Sequence, residues 1–496
     1  MNNIQLNDHS PSRMTMASFW ILFCAVFCLM ILARIVQLSI NLDGGVYATL
    51  ARNLAQGQGT AWALHFSDSF FNVFAEHPPL MMWLEAIGFT IFGDSIAVEK
   101  GFSLLTFFVC ATLLFRIWMR LNKEDTLMQR AFPIALLLLL FSGRVSYGYA
   151  NGLLENLLSI FSLSTVLLII IAYDRPSPIF SPLRTVVVSA AGLFICFSML
   201  TKGPVGLFPL VTPAIYWLIF RRPKLMAVII DIFIFLVIIS LFLALLYSLT
   251  ESREGLERYL SAQLLPSLRG DRGSFGGGYN VLRKIIGVNG FSIILVVLTA
   301  YLGRRFGLVN QDIEAERIRK KRAIFLLFIG LSASLPLGLS PRVTNFYFNP
   351  SLLFYSAGFC LLAAPGIMTG LAELRERTTR ILWFGSVLAL MVSLTVVITN
   401  FGRPGEDEET IRLTTSINKF LCRGDTDCKP VISACDAVWR DAVIQTYMQR
   451  WFNTSIVKID DHKAEFLIAD ESCRHTSGYV DTALDISPYF LLQRRQ

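Results

Sequence analysis

The sequence predicts an α-helical, polytopic membrane protein with about eleven transmembrane helices, interfacial helices in its first outer loop and a small C-terminal α/β domain. Of its 496 residues, 54% are hydrophobic and 16% are charged, and the mean hydropathy is +0.55. This composition is too apolar for a soluble globular domain. Apolar stretches of ~20 residues, the length that crosses a hydrocarbon core, recur along the first four-fifths of the chain. One signal peptide cannot account for so many.

Each apolar stretch is assigned to one transmembrane helix. We place the spans at residues 18–40, 101–120, 131–149, 153–173, 184–200, 204–220, 225–249, 286–303, 323–340, 345–364 and 381–400. The predicted organisation is therefore an N-terminal tail at 1–17, a transmembrane domain at 18–400 and a C-terminal domain at 401–496.

Basic residues fall on alternate connections between these spans, at Arg116 to Arg130, Arg175 and Arg184, Arg221 to Lys224, Arg304 to Arg322, and Arg375 to Arg380. By the positive-inside rule those connections are cytoplasmic. Topology thus explains the net charge of +8, and nucleic acid is not needed to explain it. An odd number of spans with a cytoplasmic N-terminus puts residues 401–496 in the periplasm.

The polar C-terminal segment alternates helix-like stretches with short apolar strand candidates. The helices are expected at Glu408–Leu421 and Val438–Phe452, and the strands at Val431–Ala434, Ser455–Ile459 and Glu465–Ala469. Four cysteines also lie here, Cys422, Cys428, Cys435 and Cys473. An oxidising compartment permits two disulfides among them, whose pairing the sequence leaves open.

Two outer connections are long, residues 41–100 and 250–285, and function is expected there. Asp43 opens the first, directly before an amphipathic stretch, Val46–Leu54; a later apolar run, Pro79–Phe92, is too short to span. Asp43 has two explanations. It caps the following helix, or it is a general base for an acceptor hydroxyl or amine.

Other outer residues offer charge at the same face. The segment Glu76-His77-Pro78-Pro79 is, on residue type alone, a solvated turn whose prolines fix the chain direction. Glu155, at the outer end of the fourth span, supplies a second carboxylate that geometry allows near Asp43.

Basic residues occur on the outer side as well, where topology disfavours them: Lys202, Arg269, Arg272 and Arg342. Lys202 and Arg342 either snorkel to the interface or bind a phosphate. Arg269 and Arg272 flank the glycine run Gly276-Gly277-Gly278, and basic groups next to flexible backbone suit a phosphate or pyrophosphate anion. The chain contains no phosphate-binding G-x-x-x-x-G-K-[ST] loop, no G-x-G-x-x-G and no set of His and carboxylates at metal-ligand spacing. Nucleotide-driven transport is therefore not expected.

Four motifs, taken in order along the chain, resemble those of the GT-C glycosyltransferases. The resemblance is to the bacterial branch that is similar to protein O-mannosyltransferases and to the aminoarabinose transferases that act on lipid A (families 39 and 83). The motifs are Asp43 to Leu54, Glu76 to Leu80 with Trp83, Phe92-Gly93, and Leu200 to Pro204. The similarity covers roughly residues 18–400. The aminoarabinose transferases typically show Glu-Lys-Pro where this chain has Glu76-His77-Pro78, and an acidic or polar residue at Gly44. The difference favours the branch that decorates core or O-antigen sugars.

The resemblance implies a GT-C fold and an inverting transfer of sugar from a polyprenyl-phosphate donor to a lipopolysaccharide, glycolipid or other envelope acceptor. It implies the periplasmic face of the bacterial inner membrane as the place of reaction. It assigns catalysis to Asp43 and Glu155, donor phosphate binding to the four outer basic residues, and the acceptor or donor pocket to Tyr47, Glu76 and His77. No cofactor is predicted, and dependence on a divalent metal stays open because relatives differ.

Two other functional classes fit a polytopic chain with a basic outer face. A transporter or flippase for a lipid-linked sugar predicts internal repeats and broken helices at mid-membrane, which the sequence does not show. A non-catalytic assembly protein would use mainly its periplasmic domain. Replacement of Asp43 separates these classes, because an enzyme alone loses its activity.

Overall fold

The apolar runs within the first 400 residues fold into helices because their backbone has no other way to satisfy its hydrogen bonds in lipid. A computed structural model describes residues 10–174, 178, 181–271, 273, 277–305, 313–423 and 428–495. Arg272, named above as a phosphate ligand, lies outside the described residues. So do residues 1–9 of the N-terminal tail and Arg175.

Helices in the first half of the chain are α1 Arg13–Phe27, which continues through a π turn Cys28–Leu32 into α2 Ala33–Ile35, then α3 Leu42–Ala55, α4 Leu80–Phe92, α5 Ile96–Leu121, α6 Thr126–Arg130, α7 Phe132–Phe141, α8 Arg144–Ala150, α9 Leu154–Tyr173, α10 Pro182–Lys202, α11 Thr212–Phe220 and α12 Leu225–Ser248. A 3₁₀ segment, Gly203–Val211, joins α10 to α11.

The second half contains α13 Thr250–Tyr259, a π turn Leu260–Leu264, α14 Leu265–Arg269, α15 Asn280–Val288, α16 Gly290–Arg305, α17 Ile313–Ser334, α18 Asn349–Ala372, α19 Glu376–Asn400, α20 Glu408–Cys422, α21 Asp436–Trp439 and α22 Ala442–Phe452. The 3₁₀ turns Leu335–Leu339 and Asn345–Phe348 link α17 to α18, and a third, Gly405–Asp407, precedes α20.

Among the described residues, eight helical stretches are long and apolar enough to cross a membrane, and two bent helix pairs, α7 with α8 and α15 with α16, raise the number to ten. The predicted count of eleven is reached only if Pro182–Phe220 is divided. The chain does turn within that stretch, at Gly203, where φ is +65°. Gly206 then packs against the backbone of Ser198, although residues eight apart in a straight helix are ~12 Å apart.

The membrane-embedded core is centred on α7 and α18, whose side chains are buried almost continuously. α12 and α19 differ, because they expose large apolar side chains such as Phe233, Leu241 and Phe384. Apolar surface of this extent is stable only against lipid. The protein is therefore a multi-pass membrane protein.

The C-terminal segment forms a five-stranded sheet in the order β2-β1-β3-β5-β4. Its strands are β1 Val431–Ala434, β2 Ser455–Lys458, β3 Phe466–Ala469, β4 Tyr479–Asp481 and β5 Phe490–Arg494. β1 pairs in parallel with both β2 and β3, while β5 runs antiparallel to β3 and β4. The first three strands lie where the sequence predicts them; β4 and β5 were not predicted. Disulfides join Cys422 to Cys428 and Cys435 to Cys473.

Candidate functional site

The first turn of α3 presents Asp43 to a cavity at one end of the helical domain. Asn41 is the N-cap of this helix, and its side-chain oxygen accepts a hydrogen bond of 3.0 Å from the backbone N–H of Asp43. The explanation of Asp43 as the cap is therefore wrong. Because a neighbour does the capping, the carboxylate of Asp43 is available to the cavity that it lines.

A buried ion pair lies in the same cavity. The Lys202 ammonium, at the end of α10, donates to the carboxylate of Glu155 in the first turn of α9. Their side chains are 9% and 2% exposed. The same ammonium sits 4.2 Å from the centre of the Tyr347 ring, a cation–π distance. Glu155 and Tyr347 together fix the position of this cation.

The cavity has a volume of about 790 Å³ and two chemically different ends. Its polar end is formed by Asp43, Glu76, His77, Glu155, Lys202, Tyr259, Arg342 and Tyr347. Its apolar walls come mainly from the 3₁₀ segments Gly203–Val211 and Leu335–Leu339, from the π turn Leu260–Leu264 and from α14. They include Val205, Leu207, Phe208, Leu264, Leu268, Leu335, Leu337 and Leu339. A ligand that fills it must itself be polar at one end and apolar at the other.

The charges around Asp43 act on its titration. Burial raises the pKa of the Asp43 carboxyl, and the negative charge of Glu155 raises it further. Lys202 and Arg342 oppose that effect, and Glu76 adds to it. A carboxylate with a raised pKa is a stronger base than an ordinary aspartate, which suits proton abstraction from an acceptor.

The predicted pocket residues lie beside Asp43. Glu76 and His77 are half-buried and line the cavity. Tyr47 does not line it; this tyrosine is buried one turn along α3, and its ring packs edge-on against His77 at 5.9 Å between centres. Tyr47 therefore supports the pocket from behind.

The structure separates the predicted phosphate ligands. Lys202 and Arg342 both line the cavity. Arg269, at the end of α14, is exposed and is absent from the lining, although its neighbours Ser267 and Leu268 belong to it. The phosphate-binding role of Arg269 therefore stays a prediction, with its side chain exposed and outside the lining of the cavity.

Several lining residues were not predicted. The Tyr259 hydroxyl packs against Gly203, next to Lys202, and burial raises the pKa of that phenol to about 12. Gln263, four residues later, and Thr344 each place a buried side-chain oxygen in the lining. Helical spacing in the second long connection was the available signal for Tyr259 and Gln263, since residues four apart share a face.

Among the described residues, the group of three possible metal ligands that lie close together is Cys435, Asp470 and Cys473, in the C-terminal domain. The two cysteines are joined in a disulfide, so they have no thiolate to offer. This group lies outside the cavity that contains Asp43.

Solved structures share this architecture along nearly the whole chain. ArnT from Cupriavidus metallidurans, bound to undecaprenyl phosphate, superposes with a TM-score of 0.61 at 13% identity, covering 97% of each chain. The chain has the GT-C glycosyltransferase fold. The oligosaccharyltransferase of Archaeoglobus fulgidus also matches, with a TM-score of 0.54 at 10% identity over 93% of this chain and 70% of that one.

A second structure of the archaeal GT-C protein, AglB in complex with an inhibitory peptide and a dolichol-phosphate, matches with a TM-score of 0.50 at 10% identity. No family model matches the sequence, and a search of curated proteins gives no match. At these identities the likeness shows the GT-C fold alone.

Proposed function

We propose that the protein is an inverting glycosyltransferase that moves a sugar from a polyprenyl-phosphate donor to a lipopolysaccharide, glycolipid or other envelope acceptor. One observation carries the proposal. A single cavity joins apolar walls to a polar end that contains a base, Asp43, and two cations, Lys202 and Arg342.

The shape and chemistry of the cavity suit a lipid-linked donor. A polyprenyl chain would lie against the leucine-rich walls, and its phosphate would meet the cations at the polar end. The solved ArnT contains undecaprenyl phosphate and the archaeal AglB contains a dolichol-phosphate. Both ligands belong to the class that we propose here.

The phosphate is expected at Lys202 and Arg342. Lys202 is oriented by Glu155 and Tyr347, so no rearrangement of its long side chain is needed when an anion arrives. Glu155 then acts on catalysis mainly by holding this cation and by raising the basicity of Asp43. Its proposed catalytic role is thus indirect, and Asp43 alone would take the proton.

The chemical step is a single displacement at the anomeric carbon. An acceptor hydroxyl or amine forms the new bond to that carbon while the bond from carbon to the phosphate oxygen breaks. Asp43 takes the acceptor proton, and the polyprenyl phosphate leaves with the bonding electrons. Lys202 and Arg342 stabilise the charge that develops on its oxygens. One displacement from the opposite side inverts the configuration.

Two buried oxygens mark where the sugar would lie. Gln263 Oε1 and Thr344 Oγ1 are in the lining, and neither has a hydrogen-bond partner within the described part of the chain. Gln263 belongs to a π turn, a distortion frequent at functional sites. Unpartnered buried oxygens in the same cavity as Lys202 and Arg342 are suited to bind sugar hydroxyls.

The reaction is proposed for the periplasmic face of a bacterial inner membrane. The alternating basic connections support this orientation. The disulfides Cys422–Cys428 and Cys435–Cys473 support it independently, because such bonds persist in oxidising compartments.

Comparative mass spectrometry of envelope glycolipids, with and without the gene, tests the proposal. Cells that carry the parental protein should contain a sugar-modified lipid that the deletion lacks. Asp43→Asn should slow the formation of that lipid by a factor of ~100, the scale of general-base assistance. Asp68→Asn is the matched control, because Asp68 lies on the same loop with its side chain 77% exposed. Identical glycolipids in all strains would reject the proposal.

A further inference from the structure

Two glycines follow Asp43 and let other segments approach α3 closely. A Cβ at Gly44 would collide with the backbone carbonyl oxygen of Asn151. A Cβ at Gly45 would lie 2.5 Å from the γ-methyl of Thr446, which belongs to α22 of the C-terminal domain. The turn that carries Asp43 is therefore in contact with two partners, one of them from the end of the chain.

Tyr447 holds the chain just before Asp43. The backbone N–H of Ile40 donates to the Tyr447 hydroxyl at 3.1 Å, and that hydroxyl donates to Asp407 at 2.6 Å. Tyr447 is buried, so this backbone group has no water to replace the tyrosine. The entry to α3 is thus fixed by a side chain of α22.

The other end of α3 is fixed to the same helix by buried charges. Arg52 donates to the backbone carbonyl of Gln449 at 2.9 Å and is ion-paired with Asp94. Arg450 donates to both carboxylate oxygens of Glu99, at 2.8 and 3.2 Å, and to Asp94 at 2.7 Å. The side chains of both arginines are at most 3% exposed. Motion of α22 away from α3 and α5 would break the Arg52–Gln449 hydrogen bond and leave Arg450 and Glu99 unpaired in a buried place.

The C-terminal domain has no direct part in the cavity. The residues that line it run from Asp43 to Tyr347, and residues 401–495, as far as described, contribute none. The contacts of α22 with α3 are therefore a route by which this domain can influence the chemistry without touching the ligand.

We infer that α22 is the positioning element for Asp43, and that Thr446 and Tyr447 are its positioning residues. The inference rests on the proposed function and assigns the C-terminal domain a role in it. The domain sets the position of the base from behind, and it neither opens as a lid nor binds the acceptor at the reacting atoms.

A rescue experiment tests this contact. Gly45→Ala introduces a methyl group that must push α3 and α22 apart, and Thr446→Ser removes the γ-methyl that it meets. Single-turnover transfer by Gly45→Ala should fall by about 10- to 100-fold, the effect of misplacing a reacting group by an ångström or less. The affinity for undecaprenyl phosphate in nanodiscs should stay the same. The double variant should return to within about twofold of Thr446→Ser alone, since only a direct contact is relieved in this way.

Gly44→Ala is the matched control, because its methyl group meets Asn151 and Thr446→Ser should not rescue it. If Gly45→Ala fails to insert, Tyr447→Phe provides the test through the same split between turnover and lipid phosphate affinity. Transfer by Gly45→Ala at the parental rate, or a loss that Thr446→Ser leaves uncorrected, would overturn the inference. A raised KM for the acceptor with unchanged turnover would also overturn it, because it would show that the C-terminal domain acts by binding the acceptor. Absence of transfer by the parental protein would instead reject the proposed function.

Discussion

The ammonium of Lys202 is ion-paired with Glu155 at the polar end of the cavity, and both side chains are almost fully buried. Removal of either member of a buried ion pair destabilises the folded protein, because the charge that remains has no partner and no solvent to compensate it. The pair therefore contributes both to the stability of the fold and to the position of the Lys202 ammonium in the cavity.

Glu155→Gln and Lys202→Met should each destabilise the protein by about 3 to 5 kcal/mol, the usual cost of breaking a buried pair. The double variant should lose less than the sum, since it leaves no unpaired charge. Thermal unfolding in detergent measures all three. Glu376→Gln is the control, because its ion pair with Arg380 is exposed and should contribute little. Additive losses would show that the two side chains do not interact.

The pH dependence of transfer should reflect the raised pKa of Asp43. A base works in its ionised form, so the rate should fall as the pH drops through that pKa, at a higher pH than for an ordinary aspartate. Glu155→Gln removes a negative charge that raises this pKa, so the acid limb should move to lower pH. A pH profile of single-turnover rates checks both. If Glu155→Gln leaves the acid limb of the profile in place, the charge of Glu155 does not act on the pKa of the catalytic base.

Asp43→Asn should stabilise the protein at neutral pH while it abolishes most turnover. A carboxyl whose pKa is raised by folding penalises the folded state once it is ionised. The penalty begins as the pH rises above 3.8, the ordinary pKa of an aspartate, and is complete above the pKa in the folded protein. The gain in melting temperature from Asp43→Asn should therefore be largest near pH 7 and disappear near pH 4. A variant less stable than the parent at pH 7 would contradict this sign.

Gln263→Leu and Thr344→Val should remove contacts to the sugar and leave the lipid phosphate site intact. Each lost hydrogen bond should weaken binding of the sugar-linked donor by about 0.5 to 1.5 kcal/mol. The affinity for undecaprenyl phosphate alone should be unchanged, which makes it the internal control. Binding of both lipids to the variants in nanodiscs decides the question. Equal losses for the two lipids would place these side chains elsewhere.

Alkylation should find five free thiols in protein denatured without reductant, at Cys24, Cys28, Cys110, Cys196 and Cys360. After reduction all nine cysteines should react. Mass spectrometry of the alkylated peptides identifies which four were protected. Nine reactive thiols before reduction would refute both disulfides and would argue against a periplasmic C-terminal domain.

Much of this arrangement follows from local sequence. The length of the apolar runs predicts the spans. The position of Asp43, Lys202 and Arg342 on outer connections predicts that they converge, because neighbouring connections meet above a helical bundle. The alternative explanation of Asp43 as a cap failed for a local reason: Asn41, two residues earlier, is an equally good cap. Charge alone does not say where a side chain points, so the exposure of Arg269 could not be predicted from its residue type.

The contacts of α22 were beyond such reasoning. Arg450 and Glu99 are 351 positions apart, and each looks like an ordinary surface charge in its own segment. Their burial depends on how the C-terminal domain packs against α3 and α5, and no spacing in the sequence encodes that packing. β4 and β5 were missed for a similar reason, since a strand such as Tyr479–Asp481 has no length from which to recognise a pattern.

The bond between Ile40 and Tyr447 joins positions 407 residues apart, and this has a consequence for biosynthesis. Ribosomes add about 5 to 20 residues per second, so the entry to α3 waits roughly 20 to 80 s for its partner. During that interval the early helices are already synthesised, but the backbone N–H of Ile40 beside Asp43 still lacks the Tyr447 hydroxyl as its hydrogen-bond acceptor. A chain truncated before α22 would insert its spans without a finished site. On the proposed function, only copies completed through α22 would then consume the cell's lipid-linked sugar at the full rate.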